Sequence, residues 1–381
     1  MEYELGELLS YKQPTDYIVK STDYDYSYNT PVLTAGKSFI IGYTNEKTGI
    51  FSNLPVIIFD DFTTSSQYVD FPFKVKSSAM KILSCHNKIA DLKYLFYKMQ
   101  TIQFDSSNHK RYWISEYSKI KLELPTLAEQ QRIVNRIESM FAKLDEAKEK
   151  AQNVVDGFET RKAAILHKAF TGELTAKWRK ENGVSDDSWE EKTIGECGKW
   201  ERGRSKHRPR NAPELFGGKY PFIQTGDIAN ADIYIYEHKQ TLSEFGFQQS
   251  RLFPKDTLCI TIAANIGKVA ILTYDCCFPD SVVGFTPFEN VDSKFMYYKI
   301  NDMQKDLEAM APATAQKNLN LKLLTSVSVQ IPTLPEQIDI VRILDIIIEK
   351  ENKAKQAAEA VLEQIDLLKK SILARAFRGE L

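Results

Sequence analysis

The chain has 381 residues, 43% hydrophobic and 27% charged, and this composition excludes both a disordered tail and a membrane protein. The length predicts two or three compact domains. The formal net charge is −1, and Lys/Arg and Asp/Glu balance in every segment: 14 and 14 in residues 1–123, 8 and 8 in 124–174, 20 and 20 in 175–330, and 8 and 9 in 331–381. Any nucleic-acid role would therefore depend on local basic patches, and the chain alone should bind phosphate backbones weakly.

Signals for export, membrane insertion and disulfides are missing from the sequence. The first residues, MEYELGELLS, lack the basic and apolar regions of a signal peptide, and no apolar run approaches the roughly 18 residues of a membrane span. We therefore expect a cytoplasmic protein. The cysteines have no CxxC spacing, which favours reduced, mostly buried thiols over a zinc site or a disulfide framework. They are Cys85, Cys197, Cys259, Cys276 and Cys277.

Residues 1–123 form the first predicted domain. The runs PVLTAGKSFIIGYT, NLPVIIFDDFTT and QYVDFPFKV are rich in β-branched and aromatic residues and predict strands, whereas DLKYLFYKMQ predicts a helix. Small clusters of basic and polar residues at predicted turns are candidates for DNA contact, although ordinary surface turns explain any single one of them. These candidates are Thr34, Lys37, Lys74, Lys76, His109, Lys110 and Arg111, and Lys81 belongs to the same basic cluster.

Two later segments are repeats of each other. Residues 124–174 and 331–381 align at a constant shift of 207 without a gap, and 20 of 51 positions are identical. Each copy has the spacing of a helix capping box at its start and a glycine at the position of a left-handed C-cap. We therefore predict two continuous helices of about 45 residues, or roughly 65 to 70 Å each. The capping pairs are Thr126 with Glu129 and Thr333 with Glu336, and the glycines are Gly172 and Gly379.

Apolar residues in both copies alternate at spacings of four and three. A heptad pattern over four to five heptads is typical of coiled-coil packing, and the simplest arrangement pairs the two copies within one chain. Two separate helices that each seek an outside partner remain the alternative. Arg161 and Glu351 interrupt the pattern and do not fix the orientation of the pair. The predicted helix-pairing residues are Ile133, Ile137, Met140, Leu144, Ala147, Ala151, Val154, Phe158, Ile340, Leu344, Ile347, Ala354, Ala358, Val361, Ile365 and Leu368.

Residues 175–330 form the second predicted domain, in which 175–188 reads as a hydrophilic linker. Strand-like runs such as KYPFIQTGDI and DTLCITIAANIGKVAILTY are followed by a helical stretch beginning DSKFMYYKIND. The run ERGRSKHRPRNAPELFGGK carries six Lys/Arg against two Glu, which indicates an exposed loop that is either simply solvated or contacts phosphates. The candidates for DNA contact here are Arg202, Arg204, Lys206, Arg208, Arg210, Lys219, Gln224 and Thr225.

Motifs for catalysis and cofactor binding are absent from the sequence. It contains no GxxxxGK[ST] phosphate loop, no GxGxxG, no HExxH, no GxSxG and no (N/D)PP(Y/F) of the kind used by amino-methyltransferases. Asp60, Asp61 and Lys74 match the residue types of some nuclease sites. Two carboxylates and a lysine in a strand-rich region also occur by chance, so this match does not indicate a nuclease. We therefore predict no catalytic residues and no metal site.

The motifs LPTLAEQQRIV and IPTLPEQIDIV each open a long helix that closes in KAFTGEL or RAFRGEL. Together with two dissimilar domains that alternate with these helices, they resemble the specificity subunits of type I restriction-modification systems over the whole chain. TPVLTAGKSFIIGYT, IIFDDFTT and HKRYWIS resemble one class of target-recognition domain, and YPFIQTGDI, ANIGKVAIL and TAQKNLNLKLL resemble another. Lys268 and Lys317 lie in the last two motifs and join the candidates for DNA contact.

The resemblance implies an α+β fold: two mixed α/β target-recognition domains separated by two long helices that pack as an intramolecular antiparallel coiled coil with pseudo-twofold symmetry. It also implies a non-catalytic subunit in which each domain reads half of a bipartite, asymmetric DNA site and the helices set the spacer. The implied partners are double-stranded DNA, two methyltransferase subunits and motor/nuclease restriction subunits. S-adenosylmethionine, ATP and Mg would then belong to those partner subunits.

Two other classes of function remain open at this stage. A coiled-coil scaffold with two protein-binding domains would explain the helices and the missing catalytic motifs, but not the local Arg/Lys loops. An autonomous nuclease or methyltransferase would need a carboxylate cluster or a cofactor pocket that the sequence does not indicate.

Overall fold

The computed structural model describes residues 1–34, 38–85, 87–106, 111–263, 265–310 and 319–381. These residues form two compact units. Unit 1 comprises Met1–Asn153 and Ala358–Leu381, and unit 2 comprises Val154–Ala357. Each unit therefore contains one of the two dissimilar domains together with a part of each repeated segment.

The elements of unit 1 before the second repeat alternate short strands with short helices. The strands are β1 (Glu2–Glu4), β2 (Leu9–Lys12), β3 (Thr30–Leu33), β4 (Ile40–Thr44), β5 (Val56–Asp60), β6 (Ser66–Val69), β7 (Lys74–Val75), β8 (Met80–Cys85) and β9 (Lys121–Glu123). The helices are α1 (Leu5–Leu8), α2 (Leu92–Met99), α3 (Tyr112–Ser115) and α4 (Leu127–Asp156).

The core of unit 1 lies on both faces of one sheet. The antiparallel sheet β2-β8-β5-β6 has β5 in its interior, and a second sheet has the order β4-β3-β7 with β3 and β7 parallel. Because side chains alternate along a strand, Ile57 and Phe59 of β5 face a core that includes residues of α2. Val56 and Ile58 face the opposite core, shared with Val75. The apolar run VIIFD is thus buried on both faces.

Unit 2 contains the second dissimilar domain and is built in the same way from different sheets. Its strands are β10 (Glu190–Thr193), β11 (Gly198–Arg202), β12 (Phe216–Phe222), β13 (Tyr234–Ile235), β14 (Gln240–Leu242), β15 (Leu252–Phe253), β16 (Leu258–Thr261), β17 (Val269–Leu272), β18 (Cys276–Cys277), β19 (Val282–Pro287) and β20 (Ser328–Ile331). Its helices include α5 (Phe158–Phe170), α6 (Ala176–Asn182), α7 (Thr225–Asn230), α8 (Glu244–Gln248), α9 (Ser293–Asp302), α10 (Gln304–Met310) and α11 (Leu321–Thr325).

The two larger sheets described in unit 2 have the orders β11-β19-β16-β17-β13 and β14-β12-β18-β15. On β16, Leu258 and Ile260 face the core that contains residues of α9, and Cys259 faces the opposite core. Four of the five cysteines are buried, Cys85 is half-buried, and all five are free thiols. Burial raises the pKa of Cys197 to about 11 and that of Cys276 to about 12. These thiols are therefore protonated and packed as small apolar side chains.

Each domain is closed by pairing its first strand with its last. In unit 1, β1 pairs antiparallel with β9, and in unit 2, β10 pairs antiparallel with β20. The turn after each first strand carries a capping box, in which Glu7 accepts the backbone N–H of Glu4 and Glu196 accepts that of Thr193. The last strand leads directly into a long helix in both units.

The first repeat does not form the continuous helix that the sequence predicts. It is interrupted at Gly157, between α4 and α5, because glycine has a low helix propensity. Gly172 then has the left-handed conformation expected of a C-cap, with φ of 80°. The second repeat forms the uninterrupted helix α12 (Leu334–Ala376), which contributes to both units and is followed by Gly379 with φ of 78°.

Parts of the two repeats pack antiparallel within each unit. In unit 1, Ile137 shares a core with Ile372 and Ala376, and further along α4 Asp145 accepts a hydrogen bond from Lys369 at 2.6 Å. In unit 2, the residues that interrupt the heptads meet. Arg161 Nε donates to Glu351 Oε2 at 2.7 Å, whereas Phe158, earlier in the chain, contacts the later Lys355. The prediction of an α+β fold with an antiparallel helix pair is confirmed.

The predicted seam is wrong at every second position in the later part of α12. Val361 is 40% exposed, Leu368 is 46% exposed, and Ala354 is also exposed. The residues one position later in the chain are half-buried instead and face the partner helix. The ammonium groups of Lys355 and Lys369 lie 4.7 and 5.1 Å from the ring centres of Phe158 and Phe141. A lysine side chain can pack its methylene groups against an aromatic ring while its charge stays near water. A heptad pattern of apolar residues does not predict such a contact.

The remaining predicted seam residues lie on the covered side of their helices. Buried among them are Ile137, Ala151, Phe158, Ile340, Leu344, Ala358 and Ile365. Half-buried among them are Ile133, Met140, Leu144, Ala147, Val154 and Ile347.

One further expectation fails at the start of α12. Thr126 Oγ1 accepts the backbone N–H of Glu129 at 3.4 Å, as a cap should, but Glu336 does not complete the second capping box. Its buried carboxylate accepts hydrogen bonds from Thr175 at 2.6 Å and from Arg179 at 2.7 Å instead. Arg179 belongs to α6, so the predicted linker 175–188 is partly helical, and it contacts the start of α12. Within the described ranges, no helix is long and apolar enough to cross a membrane.

Candidate nucleic-acid interface

In unit 2, the basic loop (residues 202–210) and the turn after β12 border the same segment, 278–282. The backbone N–H of Gly203 donates to Val282 O at 2.9 Å, and that of Arg204 donates to Phe278 O at 3.2 Å. On the other side, the N–H of Ile223, directly before Gln224, donates at 3.0 Å to the carbonyl of Cys277, which immediately precedes this segment. The structure thus brings together two groups of residues that the sequence places some twenty positions apart.

Arginine side chains hold the basic loop in place. Arg202 Nε donates to the carbonyl of Asp280, and Arg210 Nη2 donates to the carboxylate of Asp280 at 2.7 Å. Arg208 Nη1 donates to two carbonyls of its own loop, at 2.7 and 2.8 Å. The side chains of these three arginines are exposed, whereas that of Arg204 is half-buried and donates to Gln248 O at 3.2 Å. Because a guanidinium has five N–H donors, each exposed arginine keeps donors for a phosphate or a guanine edge.

The polar candidates beside the loop form a second group. Gln224 is exposed, and its Nε2 donates to Gln240 Oε1 at 2.7 Å across the β12–β14 pair. Thr225 opens α7 at the same turn. Lys268 precedes β17, which lies on the other side of β16 from β19, and its Nζ donates to Gln304 Oε1 at 3.3 Å, so it lies apart from this group. The paired side-chain amides of Gln224 and Gln240 offer hydrogen-bond donors and acceptors suited to base edges.

Two of the remaining candidates in unit 2, Lys206 and Lys219, are exposed. Lys206 is exposed in the basic loop, and its N–H donates to Gln249 O at 3.2 Å. Lys219 is exposed on β12, with its Nζ 5.2 Å from the ring centre of Tyr220. Lys317 lies outside the described residues.

In unit 1, three of the predicted residues gather where neighbouring strands end. Thr34 and Lys76 follow the parallel strands β3 and β7, and the N–H of Lys76 donates to Leu33 O at 3.0 Å. The turn after Lys76 reaches Asp61, which accepts the N–H of Tyr112 at 2.8 Å, next to Arg111. Lys76 and Arg111 are both exposed. Lys37, His109 and Lys110 lie outside the described residues.

Two lysines of the first cluster are buried and cannot contact DNA. Lys74 is 1% exposed; its Nζ donates to the carbonyls of Thr48 and Gly49 and forms an ion pair with Glu46 at 3.1 Å. Lys81 is fully buried and forms an ion pair with Asp61 at 3.1 Å. Both lysines lie on strands whose neighbours are apolar, and a charge in such a position needs a buried partner. The prediction of Lys74 as a DNA contact is therefore wrong, and Lys81 of the same cluster is equally inaccessible.

The environment of Glu46 supports this structural role of Lys74. Burial alone would raise the pKa of Glu46, but hydrogen bonds from the backbone N–H groups of Ser21 and Lys20, together with Lys74, bring this pKa below its ordinary value. The ionised carboxylate is thus held in place, and the ammonium group of Lys74 is committed to it.

Two residues that complete this surface of unit 2 were not predicted from the sequence. Gln240 pairs with Gln224, and Asp280 fixes Arg202 and Arg210. Sheet register alone places Gln240 opposite Phe222, so no local pattern in the sequence identifies it. In the part of the chain that the structure describes, no group of three or more His, Cys, Asp or Glu side chains is placed to hold a metal ion.

Comparison with known proteins identifies relatives along nearly the whole chain. The sequence model of the family described as "Type I restriction modification DNA specificity domain" matches residues 1–155 and 186–364. The type I restriction enzyme EcoR124I/EcoR124II specificity subunit of Escherichia coli is 35% identical over 367 residues, which cover 90% of this chain and 85% of that relative. The EcoBI specificity subunit of Escherichia coli is 25% identical over 276 residues, covering 68% of this chain and 58% of that relative.

Solved structures share the fold. The HsdS subunit from Thermoanaerobacter tengcongensis has a TM-score of 0.66 and 18% sequence identity, and the match covers 100% of this chain and 97% of that one. A chain from a structure titled as describing complex assembly and conformational transition of the type I R-M system has a TM-score of 0.68, also at 18% identity, covering 100% and 98% of the two chains.

Proposed function

Because the chain belongs to the family of type I restriction-modification DNA specificity subunits, we propose that its two unlike domains read the two halves of one bipartite, asymmetric DNA site. Membership of this family makes the chain the DNA-recognition subunit of a restriction-modification complex and not its catalytic subunit. It favours sequence-specific DNA binding over a scaffold with two protein-binding domains. The observation that supports the reading of two half-sites is that each unit carries exposed cationic and polar side chains in loops that follow strands of its own, differently connected sheets.

The long helices support a fixed distance between the two half-sites. The 43 residues of α12 correspond to about 65 Å of helix, and one turn of DNA measures about 34 to 36 Å. In this proposal, the helices hold the two readers over half-sites separated by a few base pairs that neither reader contacts. The recurrence of the two repeats offers equivalent surfaces to two methyltransferase subunits, and motor/nuclease subunits would join that assembly.

The cofactors of the reaction belong, in this proposal, to the partner subunits. The sequence has no motif for binding S-adenosylmethionine, ATP or Mg, so methyl transfer and DNA translocation would take place on the methyltransferase and motor/nuclease subunits. The complex would work in the cytoplasm, where its DNA substrate is located.

Titration of the full chain with its methyltransferase, with and without DNA, tests the proposal against the scaffold alternative. A recognition subunit should give the complex a preference for one DNA sequence over a shuffled duplex. A scaffold would bind the methyltransferase equally well and leave the complex with the same affinity for both duplexes.

Substitution of one arginine in the basic loop should affect one half-site only. Arg208→Ala, and likewise Arg204→Ala, is expected to weaken recognition of the second domain's half by about 1–3 kcal/mol if the arginine contacts a base. Lys37→Ala is the corresponding change for the other half. Methylation of duplexes carrying base changes in either half measures the effect, and Arg342→Ala, on the exposed side of α12, is the control. Equal loss at both halves would mean that the residue serves folding or assembly instead.

The balanced charge predicts that tight DNA binding requires the partner subunits. Affinity for a phosphate backbone grows with the number of phosphates that are neutralised, and none of the four segments of this chain carries an excess of Lys/Arg. We expect the purified chain to bind its duplex more weakly than nanomolar at about 0.15 M salt, and addition of methyltransferase to tighten binding. Fluorescence anisotropy measures both affinities. Nanomolar binding by the chain alone would contradict this prediction.

A further inference from the structure

Each domain is attached to the start of its long helix by a buried glutamine. In unit 1, Gln130 is fully buried; its Nε2 donates to Ile89 O at 2.8 Å and to Pro125 O at 2.9 Å. Its Oε1 accepts the backbone N–H of Asp91 at 2.8 Å. Asp91 in turn caps α2 by accepting the N–H of Tyr94. One side chain therefore ties the first turn of α4 to the first turn of α2.

The same arrangement recurs in unit 2, one repeat later in the chain. Gln337 is fully buried; its Nε2 donates to Asn290 O at 3.1 Å and to Pro332 O at 2.8 Å, and its Oε1 accepts the N–H of Asp292 at 2.9 Å. Asp292 caps α9 as Asp91 caps α2. We call α2 and α9 the anchor helices, because each carries the contacts that connect its domain to the long helices.

A lysine of each anchor helix forms an ion pair with the long helix that follows its domain. In unit 1, Lys93 contacts Glu138 at 2.5 Å, and in unit 2, Lys294 contacts Asp345 at 2.7 Å. Glu138 and Asp345 occupy the same position of the two repeats, at the shift of 207. The two pairs are therefore copies of one contact, about two helical turns beyond the buried glutamine.

A third contact connects each anchor helix to the end of the other long segment. In unit 1, Phe377 packs against Tyr94 at 5.3 Å between ring centres, and Lys98 Nζ lies 5.0 Å from the Phe377 ring. In unit 2, Phe170 packs against Phe295 at 5.4 Å, and Lys299 Nζ lies 4.6 Å from the Phe170 ring. Burial lowers the pKa of both Lys98 and Lys299. Phe170 and Phe377 are again equivalent positions of the repeat.

These three contacts hold each anchor helix on different sides, from its N-cap to the lysine about one turn further along. The glutamine holds its first turn, the lysine pair holds one side, and the aromatic ring with its cation holds another side. A helix fixed at three points that do not lie on one line can neither rotate nor slide without breaking one of them. The sheets attached to the two anchor helices differ in strand order, whereas the anchor contacts are the same.

We propose that this duplicated anchor sets the orientation of each recognition domain on the paired helices, and that it thereby determines the length of DNA spacer that the protein accepts. Gln130 and Gln337 are positioning residues in this proposal, since they lie buried and act through the domains. The inference rests on the proposed reading of two half-sites.

The test uses the full chain assembled with its methyltransferase. Duplexes carry both half-sites with the native spacer or with a spacer one base pair shorter or longer, and methyl transfer from labelled S-adenosylmethionine is measured on each. Gln130→Met keeps the side-chain volume and removes the three hydrogen bonds. Gln131→Met, at the exposed neighbouring position of the same helix, is the matched control. Phe377→Leu is a milder second variant, because it removes the ring contacts and keeps an apolar side chain.

The informative quantity is the ratio of methylation on the native spacer to that on the altered spacers. We expect Gln130→Met to lower this ratio about tenfold, which corresponds to about 1.4 kcal/mol, while Gln131→Met leaves it unchanged. Phe377→Leu should lower it in the same direction. Equal loss of methylation on all spacers, or no change in either variant, would overturn the proposal, because both outcomes leave the ratio intact. If the wild-type complex shows no preference for two half-sites at all, the proposed function fails instead.

Discussion

Replacement of Arg179 by methionine is expected to destabilise unit 2 by about 3–5 kcal/mol, because it leaves a buried carboxylate without its counter-charge. Arg179 is 6% exposed, and its Nη1 donates to Glu336 Oε1 at 2.7 Å and to Thr175 Oγ1 at 3.2 Å. Glu336 is fully buried. Among the described residues, its Oε2 has no hydrogen-bond partner, so the remaining hydroxyl of Thr175 cannot compensate the charge. Urea unfolding of the full chain, followed by tryptophan fluorescence, measures the loss.

The other repeat supplies a matched control for this prediction. Glu129 occupies the position equivalent to Glu336, but it lies at the surface and binds Arg132 through two hydrogen bonds, at 2.8 and 2.9 Å. Because water solvates both charges there, Arg132→Met should change the unfolding midpoint very little. The double change Arg179→Met with Glu336→Leu should recover most of the lost stability. Similar effects of Arg179→Met and Arg132→Met would contradict the assignment of a buried ion pair.

Lys81→Met should also destabilise the chain by about 3–5 kcal/mol, in contrast to the nearby Lys76→Met. Lys81 is fully buried against Asp61 at 3.1 Å, and the Asp61 carboxylate also accepts the N–H of Trp113 at 2.8 Å. Loss of the lysine therefore leaves a carboxylate buried beneath α3. Asp61→Asn should be similarly harmful, since it leaves the ammonium group of Lys81 uncompensated. Thermal unfolding of each variant gives the comparison.

The two lysines should separate stability from DNA recognition. Lys76 is exposed directly after β7. The Lys76→Met variant should therefore unfold at the same midpoint as the wild type, but it should methylate the unaltered duplex more weakly. Lys81→Met, by contrast, should lower the unfolding midpoint and leave the half-site preference of the folded fraction unchanged. The reverse result, with a stable Lys81→Met and a destabilised Lys76→Met, would mean that the burial assigned to Lys81 is wrong.

The features that local sequence rules govern are the ones that could be predicted. The left-handed glycines at 172 and 379 and the antiparallel helix pair depend on spacing within a single helix and on the repeat. The seam is wrong at Ala354 and Leu368 because the lysines one residue later, Lys355 and Lys369, lie over phenylalanine rings. The break at Gly157 depends on a competition between glycine and the packing of its neighbours, which a heptad pattern does not describe.

The candidate site was harder to predict than the fold, because charge alone does not distinguish a surface lysine from a buried one. Lys74 and Lys81 each require a carboxylate partner that is distant in sequence, and only the folded sheets bring Glu46 and Asp61 beside them. The convergence of the basic loop with Gln224 likewise depends on the segment 278–282, which lies far along the chain. Conversely, the identical contacts of Gln130 and Gln337 follow from their equivalent positions in the repeat.

Mapping of methylated bases in the genome tests the central claim most directly. A strain that carries this chain with its methyltransferase is compared with the same strain after deletion of the gene. We predict that deletion abolishes methylation at one bipartite motif, composed of two unlike half-sites separated by a gap of fixed length. A lost motif that is continuous or symmetric, or a methylation pattern that does not change, would contradict the reading of two half-sites by two unlike domains.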